Sequence, residues 1–421
     1  MTHLHWTDGR AFPGDFLWGA ATSAHQTEGN NVNTDWWERE HAAGTDLAEP
    51  SGDAADSYHR YGEDMRLLAD LGLNAYRFSV EWARIEPEQG LVSKAQLAHY
   101  RRMIDCALDV GLTPVVTLHH FTNPRWFAAG GGWRRPDAVE LFGRYTSAVA
   151  AILKDVPWVC TINEPNMMAM TRGQEGTEMA AAALPEPDPL ITQRLVDAHR
   201  RARDVLGESI DARTGWTVAG QAFHARPGCE AETQAYGYPR EDLFLEAAAG
   251  DDFIGVQAYL RTFIGKHGPL AVAPGVETTL TGWEYFPPAL GIATRHAWEL
   301  TQHTPVLVTE NGIATGDDSR RIDYVHDALV GLHDAMADGI QVHGYLHWSA
   351  LDNYEWGSYR PTFGLMSSDR ETFARSVKPS GHWLGEVART GKLFLPDRTP
   401  APEPVGTSSR PCPGGSRAAG Q

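Results

Sequence analysis

Residues 55–81 read ADSYHRYGEDMRLLADLGLNAYRFSVE, and they contain a helix signal followed closely by a strand signal. In the first part, apolar side chains recur at spacings of three and four, as on one face of a helix: Tyr58, Tyr61, Met65 and Leu68. Gly72 follows, a residue type that commonly ends helices. From Ala75 the chain becomes a short β-like run. The stretch therefore predicts a helix that leads directly into a strand.

The same alternation recurs along the whole chain. Eight strands are predicted, over Phe16–Ala24, Ala75–Glu81, Thr113–His120, Trp158–Glu164, Thr214–Gly220, Asp252–Tyr259, Pro305–Gly312 and Val342–Leu351. Several are near-continuous apolar runs, as is typical of parallel strands buried on both faces. Helical periodicity occupies segments between them, for example 55–71, 94–110, 137–153 and 322–338.

This pattern predicts an α/β protein, a single (β/α)8 TIM barrel with its active site at the C-terminal ends of the strands. A doubly wound open sheet is the alternative, but no glycine-rich turn of the dinucleotide-binding type follows the first strand. We assign residues 1–397 to the barrel domain. Residues 398–421 are rich in Pro, Gly, Ser and Ala, and we expect a disordered tail there because so few apolar residues cannot offset the chain entropy.

The composition narrows the possible partners. Acidic residues outnumber basic ones by 54 to 36, which gives a formal net charge of −18 and disfavours binding to nucleic acid or anionic membranes. The four cysteines form no CxxC pair, so neither a disulfide framework nor a zinc site is expected. The N-terminus has no basic segment followed by an apolar one, and no apolar run is long enough to span a membrane. We therefore expect a cytoplasmic protein.

The most informative polar residues stand where predicted strands end. Strand four ends in Asn163-Glu164 and strand seven in Glu310-Asn311, so two carboxyl groups should face each other at the barrel mouth. Two carboxyl groups across a cavity are the minimum equipment for glycoside hydrolysis. Other strand ends add polar and aromatic side chains: Gln26, Arg77, His119, His120, Tyr259, Trp348, Asp352, Asn353, Glu355 and Trp356. Adjacent His119 and His120 should point to opposite faces, so no metal site is expected.

Seven stretches resemble glycoside hydrolase family 1, the β-glucosidase family, and they run in the family's order. They are FLWGAATSAHQTEG (16–29), LNAYRFSVEWARIEPEQG (73–90), TLHHFTNP (117–124), TINEPN (161–166), DDFIGVQAY (251–259), VTENG (308–312) and HWSALDNYEW (347–356). The resemblance spans nearly the whole chain apart from the tail. It implies a retaining, exo-acting β-glycosidase that acts on a small-molecule β-glycoside or an oligosaccharide and needs no cofactor.

The resemblance also implies a role for each site residue. Glu164 would be the general acid/base and Glu310 the nucleophile, with Arg77 and Tyr259 in contact with Glu310. The sugar would be held by Gln26, His120, Asn163, Glu355 and Trp356, with Trp348 as its stacking floor. Departures from the family pattern, such as Gln257-Ala258, Phe121 and His25, lie around the sugar rim and on the leaving-group side. These departures leave open the identity of the aglycone, the group attached to the sugar. The sequence makes no prediction of the oligomeric state.

Three alternatives use the same barrel. A transglycosylase would pass the sugar to another acceptor with the same two glutamates. A non-catalytic sugar-binding relative would have lost one carboxylate, whereas both are present here. A 6-phospho-β-glycosidase could use Tyr359 and Arg360 to grip the phosphate, but an ionised Glu355 nearby would repel it.

Overall fold

The computed structural model describes residues 9–171 and 184–395. The expected tail at 398–421 lies outside these ranges. The strands are β1 (Leu17–Ala21), β2 (Ala75–Ser79), β3 (Thr113–His119), β4 (Trp158–Asn163), β5 (Arg213–Gly220), β6 (Phe223–Ala225), β7 (Ile254–Ala258), β8 (Thr262–Gly265), β9 (Gly268–Pro269), β10 (Val306–Asn311), β11 (Val342–Trp348), β12 (Met366–Ser368) and β13 (Arg375–Val377).

Eight of these strands close into a parallel barrel in the order β1-β11-β10-β7-β5-β4-β3-β2. This confirms the predicted (β/α)8 fold. The predicted strands were too long at several carboxyl ends. Strand one was expected to reach Ala24, for example, but it ends at Ala21, and Ala24 begins a helical turn. Beyond the last hydrogen bond to a neighbouring strand, the chain turns and places its side chains at the barrel mouth. A run of apolar residues does not indicate where this turn begins.

The helices are α1 (Ala24–Thr27), α2 (Asp35–Glu40), α3 (Ser57–Leu71), α4 (Trp82–Ile85), α5 (Lys94–Asp109), α6 (Arg125–Ala129), α7 (Ala138–Ala150), α8 (Pro165–Thr171), α9 (Pro189–Ser209), α10 (Glu230–Gly237), α11 (Leu243–Ala247), α12 (Ala289–Leu300), α13 (Asp318–Ala337) and α14 (Pro379–Thr390). Gly72 ends α3 in the left-handed region, with φ of 99°. The helix predicted at 322–338 begins earlier, because Asp317 caps it by accepting a bond from the Ser319 N–H at 2.9 Å.

The barrel has an inner and an outer apolar layer. The outer layer lies between the strands and the surrounding helices and holds most of the buried apolar residues. The inner layer fills one end of the barrel with Ala75, Val115, Trp158, Cys160, Phe253, Leu307 and Leu346. Two residues further along three of these strands lie Arg77, Thr117 and Trp348, on the same inward face because strand side chains alternate. The apolar layer thus forms the floor of a polar mouth.

Irregularities in two strands bring their last residues into this mouth. Leu307 belongs to the inner layer, so strict alternation would place Glu310 on the outer face. The pairing of β10 with β7 shifts between Val308 and Glu310, and Glu310 turns inward. The pairing of β4 with β5 shifts similarly between Cys160 and Asn163. Such irregularities commonly re-aim side chains beside active sites.

Five short strands form two small sheets outside the barrel. Strands β6, β8 and β9 form a small sheet that follows barrel strands β5 and β7, and β12 pairs with β13 as a hairpin. Within the described ranges, no helix has the length and apolar character needed to cross a membrane.

Candidate active site

Glu310 is held at the mouth by two direct hydrogen bonds, one from a residue on β2 and one from the residue that follows β7. Arg77 Nη1 donates to Glu310 Oε1 at 2.5 Å, and the Tyr259 hydroxyl donates to Glu310 Oε2 at 2.7 Å. Arg77 is fully buried, and its Nε also donates to Thr117 Oγ1 at 3.0 Å. Both oxygens of Glu310 therefore have a donor, and one of these donors carries a full positive charge.

Asn163 connects this carboxylate to a histidine. Its Oδ1 accepts from Arg77 Nη2 at 2.5 Å, from Gln257 Nε2 at 2.8 Å and from Thr217 Oγ1 at 3.1 Å. With Oδ1 identified as the acceptor, Nδ2 is the donor to His120 Nε2 at 3.3 Å. Burial and the nearby Arg77 charge hold the pKa of His120 well below its usual value, so the ring is neutral. Its proton is then on Nδ1, a buried donor that meets no partner among the described residues.

Glu164 follows β4 directly, and its backbone N–H donates to the Thr217 carbonyl at 2.8 Å. Its side chain is buried, and its backbone is left-handed, with φ of 44°. Phe121 and Trp356, also at the mouth, have φ of 68° and 48°. Left-handed backbone is uncommon for residues with large side chains, and such strain clusters at functional sites.

The two carboxyl groups have different environments. Burial raises the pKa of Glu164 well above its usual value, the Glu310 charge raises it further, and the Arg77 charge opposes both. Burial also raises the pKa of Glu310, but Arg77 and the Tyr259 hydroxyl oppose that rise with direct hydrogen bonds. Glu164 is therefore the group that holds a proton while Glu310 is ionised. Burial outweighs these two partners, so the pKa of Glu310 still lies above its usual value.

A third carboxyl group, that of Glu355, lies across the mouth. Trp348 Nε1 donates to Glu355 Oε1 at 3.0 Å, and Gln26 Nε2 donates to Glu355 Oε2 at 3.2 Å. Gln26 Nε2 also lies 3.0 Å from Asn353 Oδ1. Burial raises the pKa of Glu355 to about 8, although Trp348 and Gln26 favour its charged form. The expectation that Glu355 is ionised is therefore wrong at neutral pH, because desolvation exceeds the effect of these donors.

Aromatic rings enclose the same space. The His120 ring lies nearly parallel to Trp348 at 5.9 Å between centroids and to Trp356 at 6.1 Å. Trp356 is backed by His25 at 5.8 Å and an interplanar angle of 4°. Phe121 meets Trp356 edge-on at 5.1 Å. Flat apolar faces beside hydrogen-bonding groups suit a sugar ring, which presents C–H faces and a rim of hydroxyls.

His119 and His120 diverge, as the alternation of strand side chains predicts. His119 Nε2 lies 3.0 Å from Asn123 Oδ1, and its ring contacts Trp133 and Phe142 outside the barrel. His120 faces the mouth. Across residues 9–171 and 184–395, no group of three or more His, Cys, Asp or Glu side chains is arranged to hold a metal ion.

Tyr359 and Arg360, the candidates for a phosphate grip, point elsewhere. The Tyr359 hydroxyl donates to the Ser51 carbonyl, and the Arg370 guanidinium covers its ring at 3.7 Å. Arg360 is exposed. The structure brings neither of them to Glu355.

A pocket opens beside Glu164, and the sequence did not predict most of its lining. It includes Met167, Leu184, Gln221, Gln257 and Trp283. Gln257 drew notice only as a departure from the family pattern, and no periodic signal marks the loop that carries Trp283. Only the position of Gln257 near the end of the predicted strand Asp252–Tyr259 could have indicated that it reaches the mouth.

A closed (β/α)8 barrel with two unequal buried carboxyl groups and an aromatic, hydrogen-bonding cavity at its C-terminal face defines a glycoside hydrolase. A sequence model of glycosyl hydrolase family 1 matches residues 9–203 and 258–393. The chain therefore belongs to this family, and it is an enzyme of the β-glucosidase type.

Individual relatives agree along almost the full length. The thermostable beta-glucosidase B of Thermobispora bispora is 32% identical over 91% of this chain and 92% of its own. The crystal structure of beta-glycosidase BGL167 is 43% identical, with a TM-score of 0.84 over 93% of this chain and 99% of that one. A beta-glucosidase from Thermotoga maritima in complex with glucoimidazole gives a TM-score of 0.84 at 27% identity, over 91% of this chain and 100% of that one.

Proposed function

We propose that this β-glycosidase is exo-acting and retaining, with Glu310 as nucleophile and Glu164 as acid/base, and that it hydrolyses terminal non-reducing β-D-glycosides. The observation that carries the proposal is the unequal setting of the two carboxyl groups. Glu310 receives hydrogen bonds from Arg77 and Tyr259, whereas burial and the Glu310 charge both favour a proton on Glu164. One fold thus supplies an ionised nucleophile and a protonated acid at the same pH.

In the first step, a Glu310 oxygen attacks the anomeric carbon and the bond to the leaving oxygen breaks. Glu164 gives its proton to that oxygen, so the aglycone departs as a neutral alcohol. The product is an ester between the sugar and Glu310. Arg77 and Tyr259 orient the attacking carboxylate, and retention implies that the two carboxyl groups lie about 5–5.5 Å apart.

In the second step, the ester has removed the negative charge of Glu310, so the pKa of Glu164 falls and its carboxylate becomes a base. Glu164 takes a proton from water, and the water oxygen attacks the anomeric carbon from the side that the aglycone left. The bond to Glu310 breaks, and the β-sugar is released with both glutamates in their starting states. Glu310 is the nucleophile of the first step and water that of the second, and Glu164 gives and takes the proton, so the mechanism needs no metal or cofactor.

The enclosed end of the cavity supports a terminal sugar as substrate. Trp356 packs on His25, and Trp36 meets it edge-on at 4.9 Å, so a ring at Trp348 has protein beyond it. Gln26 and Glu355 would bind the hydroxyls at that end, and Asn163 and His120, with its free Nδ1–H, would bind others. A relative was solved with glucoimidazole, a sugar-like ligand, which is consistent with a small-molecule glycoside partner here.

The test is the anomer that forms first. NMR of fresh product from p-nitrophenyl β-glucoside should show the β-anomer before mutarotation. An initial α-anomer would exclude double displacement. Added alcohols, with product analysis, would reveal transglycosylation, for which no feature of the site argues specifically. The cytoplasmic location stays a prediction.

A further inference from the structure

The pocket beside Glu164 lies on the side where the leaving group departs. Its lining includes the Glu164 side chain but not Glu310. If Glu164 protonates the leaving oxygen, as the proposed function requires, the group attached to that oxygen must extend into this pocket. Its walls therefore select the aglycone.

Two apolar groups build these walls. Met167, Met170 and Ala219 form one cluster, and Leu184 and Phe121 pack against it. Trp283 forms the other and packs on Tyr259 at 5.6 Å between ring centroids.

Several polar groups of the lining are engaged with other residues of the protein. The Tyr259 hydroxyl is bonded to Glu310, and Gln257 Nε2 to Asn163. The Gln221 backbone N–H donates to Glu241 at 2.9 Å. Gln257 Oε1 is buried and has no hydrogen-bond partner within the described ranges, so it can accept one hydroxyl. The described lining is mainly apolar, so the several hydroxyls of a second sugar would meet few partners among these residues, whereas an apolar group needs none.

Hydrogen bonds from Tyr236 and Arg240 hold the Leu184 backbone in place. The Tyr236 hydroxyl lies 2.9 Å from the Leu184 backbone N and 3.2 Å from its carbonyl oxygen, accepting from the first and donating to the second. Arg240 Nε donates to the same carbonyl at 3.3 Å, and its guanidinium stacks on the Tyr236 ring at 3.8 Å. Tyr236 and Arg240 thus position an apolar side chain at the pocket.

We propose that the natural substrates are β-glycosides of apolar alcohols, aromatic or branched aliphatic, rather than disaccharides such as cellobiose. Leu184, Met167 and Trp283 make the selection, and Tyr236 is a positioning residue. The free acceptor of Gln257 would take a single hydroxyl on the aglycone.

Benzyl β-glucoside and cellobiose test this choice. Both give the same glucosyl-enzyme, so their kcat/KM values differ only through the first step. Benzyl alcohol is a poorer leaving group than a sugar hydroxyl, so intrinsic reactivity works against the proposal. Wild type should nevertheless favour benzyl β-glucoside by about tenfold or more. Higher kcat/KM for cellobiose would overturn the proposal while leaving the proposed function intact. Hydrolysis of neither substrate, nor of p-nitrophenyl β-glucoside, would instead overturn the proposed function.

Two variants test whether Leu184 causes the preference for benzyl β-glucoside over cellobiose. Leu184→Gln adds hydrogen-bonding groups and should reduce the benzyl-to-cellobiose ratio about fivefold or more. Tyr236→Phe keeps the ring, releases Leu184 and should reduce the ratio in the same direction. Leu190→Gln changes an exposed leucine outside the pocket and should leave the ratio unchanged. A ratio unmoved by both Leu184→Gln and Tyr236→Phe would contradict the assignment.

Discussion

Arg77 on β2 and Glu310 on β10 are 233 positions apart in the chain, yet their side chains meet at 2.5 Å. The guanidinium is fully buried and provides the positive charge in direct contact with the Glu310 carboxylate. This contact opposes the burial that raises the pKa of Glu310.

Replacing Arg77 with Met should raise the pKa of Glu310 further and move the acidic limb of the kcat/KM profile to higher pH. The ionised carboxylate is the active form. A raised pKa therefore extends the loss of activity at low pH to higher pH values. At a fixed pH near neutrality, kcat/KM for p-nitrophenyl β-glucoside should fall about a hundredfold or more. A profile with an unmoved acidic limb would mean that Arg77 does not tune Glu310.

Tyr259→Phe should produce a smaller shift in the same direction, because it removes one neutral hydrogen bond of 2.7 Å from Glu310. Tyr145→Phe is the matched control. That hydroxyl is also buried, but it donates to the carbonyls of Val80 and Leu118 instead. The control should lose stability in a thermal melt with no change in the acidic limb. Equal limbs in wild type and Tyr259→Phe would show that this bond is absent in the free enzyme.

Glu164→Gln should abolish the basic limb of the profile. Wild type loses activity as pH rises through the raised pKa of Glu164, since only its protonated form can donate. The amide does not titrate, so the limb disappears. Substrates with dinitrophenolate leaving groups should retain most of their kcat/KM, whereas alkyl glucosides should lose about 10²–10⁴-fold. Persistence of the basic limb would assign it to another group.

The fold was predictable because each strand and helix carries its own periodic signal. Eight apolar runs matched the eight barrel strands, and errors fell at their ends. The small sheet of β6, β8 and β9 was not predicted, since strands of two to four residues leave no periodic pattern.

The candidate site was less predictable from residue patterns alone. Position after a strand indicated Glu164 and Glu310, but the pairing shift that turns Glu310 inward has no signature in the letters VTENG. The titration of Glu355 depends on burial from several elements together, so the sequence could not give its charge. The pocket wall at Leu184 likewise depends on contacts with Tyr236 and Arg240 from a distant segment.

The sugar should be unphosphorylated at O6. Repulsion between Glu355 and a phosphate does not support this prediction, because the pKa of Glu355 is raised to about 8. Instead, Tyr359 is engaged with Ser51 and Arg360 is exposed, so neither is placed to bind a phosphate at Glu355. Wild type should prefer p-nitrophenyl β-glucoside over its 6-phosphate by about a hundredfold in kcat/KM.

Glu355→Ser should lower kcat/KM on the unphosphorylated substrate by about tenfold or more, because it removes a proposed ligand of the sugar hydroxyls. Arg360→Ala is the control and should leave both substrates unaffected. A wild-type preference for the phosphate would contradict the assignment, as would an unaltered rate in Glu355→Ser.

The roles of Glu164 and Glu310 are tested most directly by azide rescue of Glu164→Ala with 2,4-dinitrophenyl β-glucoside. This leaving group departs without a proton, so Glu310 should still form the glycosyl-enzyme, which then accumulates because no base activates water. Azide needs no base and should attack from the vacated side, restoring turnover and yielding the β-glucosyl azide. Formation of the α-glucosyl azide from Glu164→Ala would mean that Glu164 is the nucleophile, and it would contradict the account.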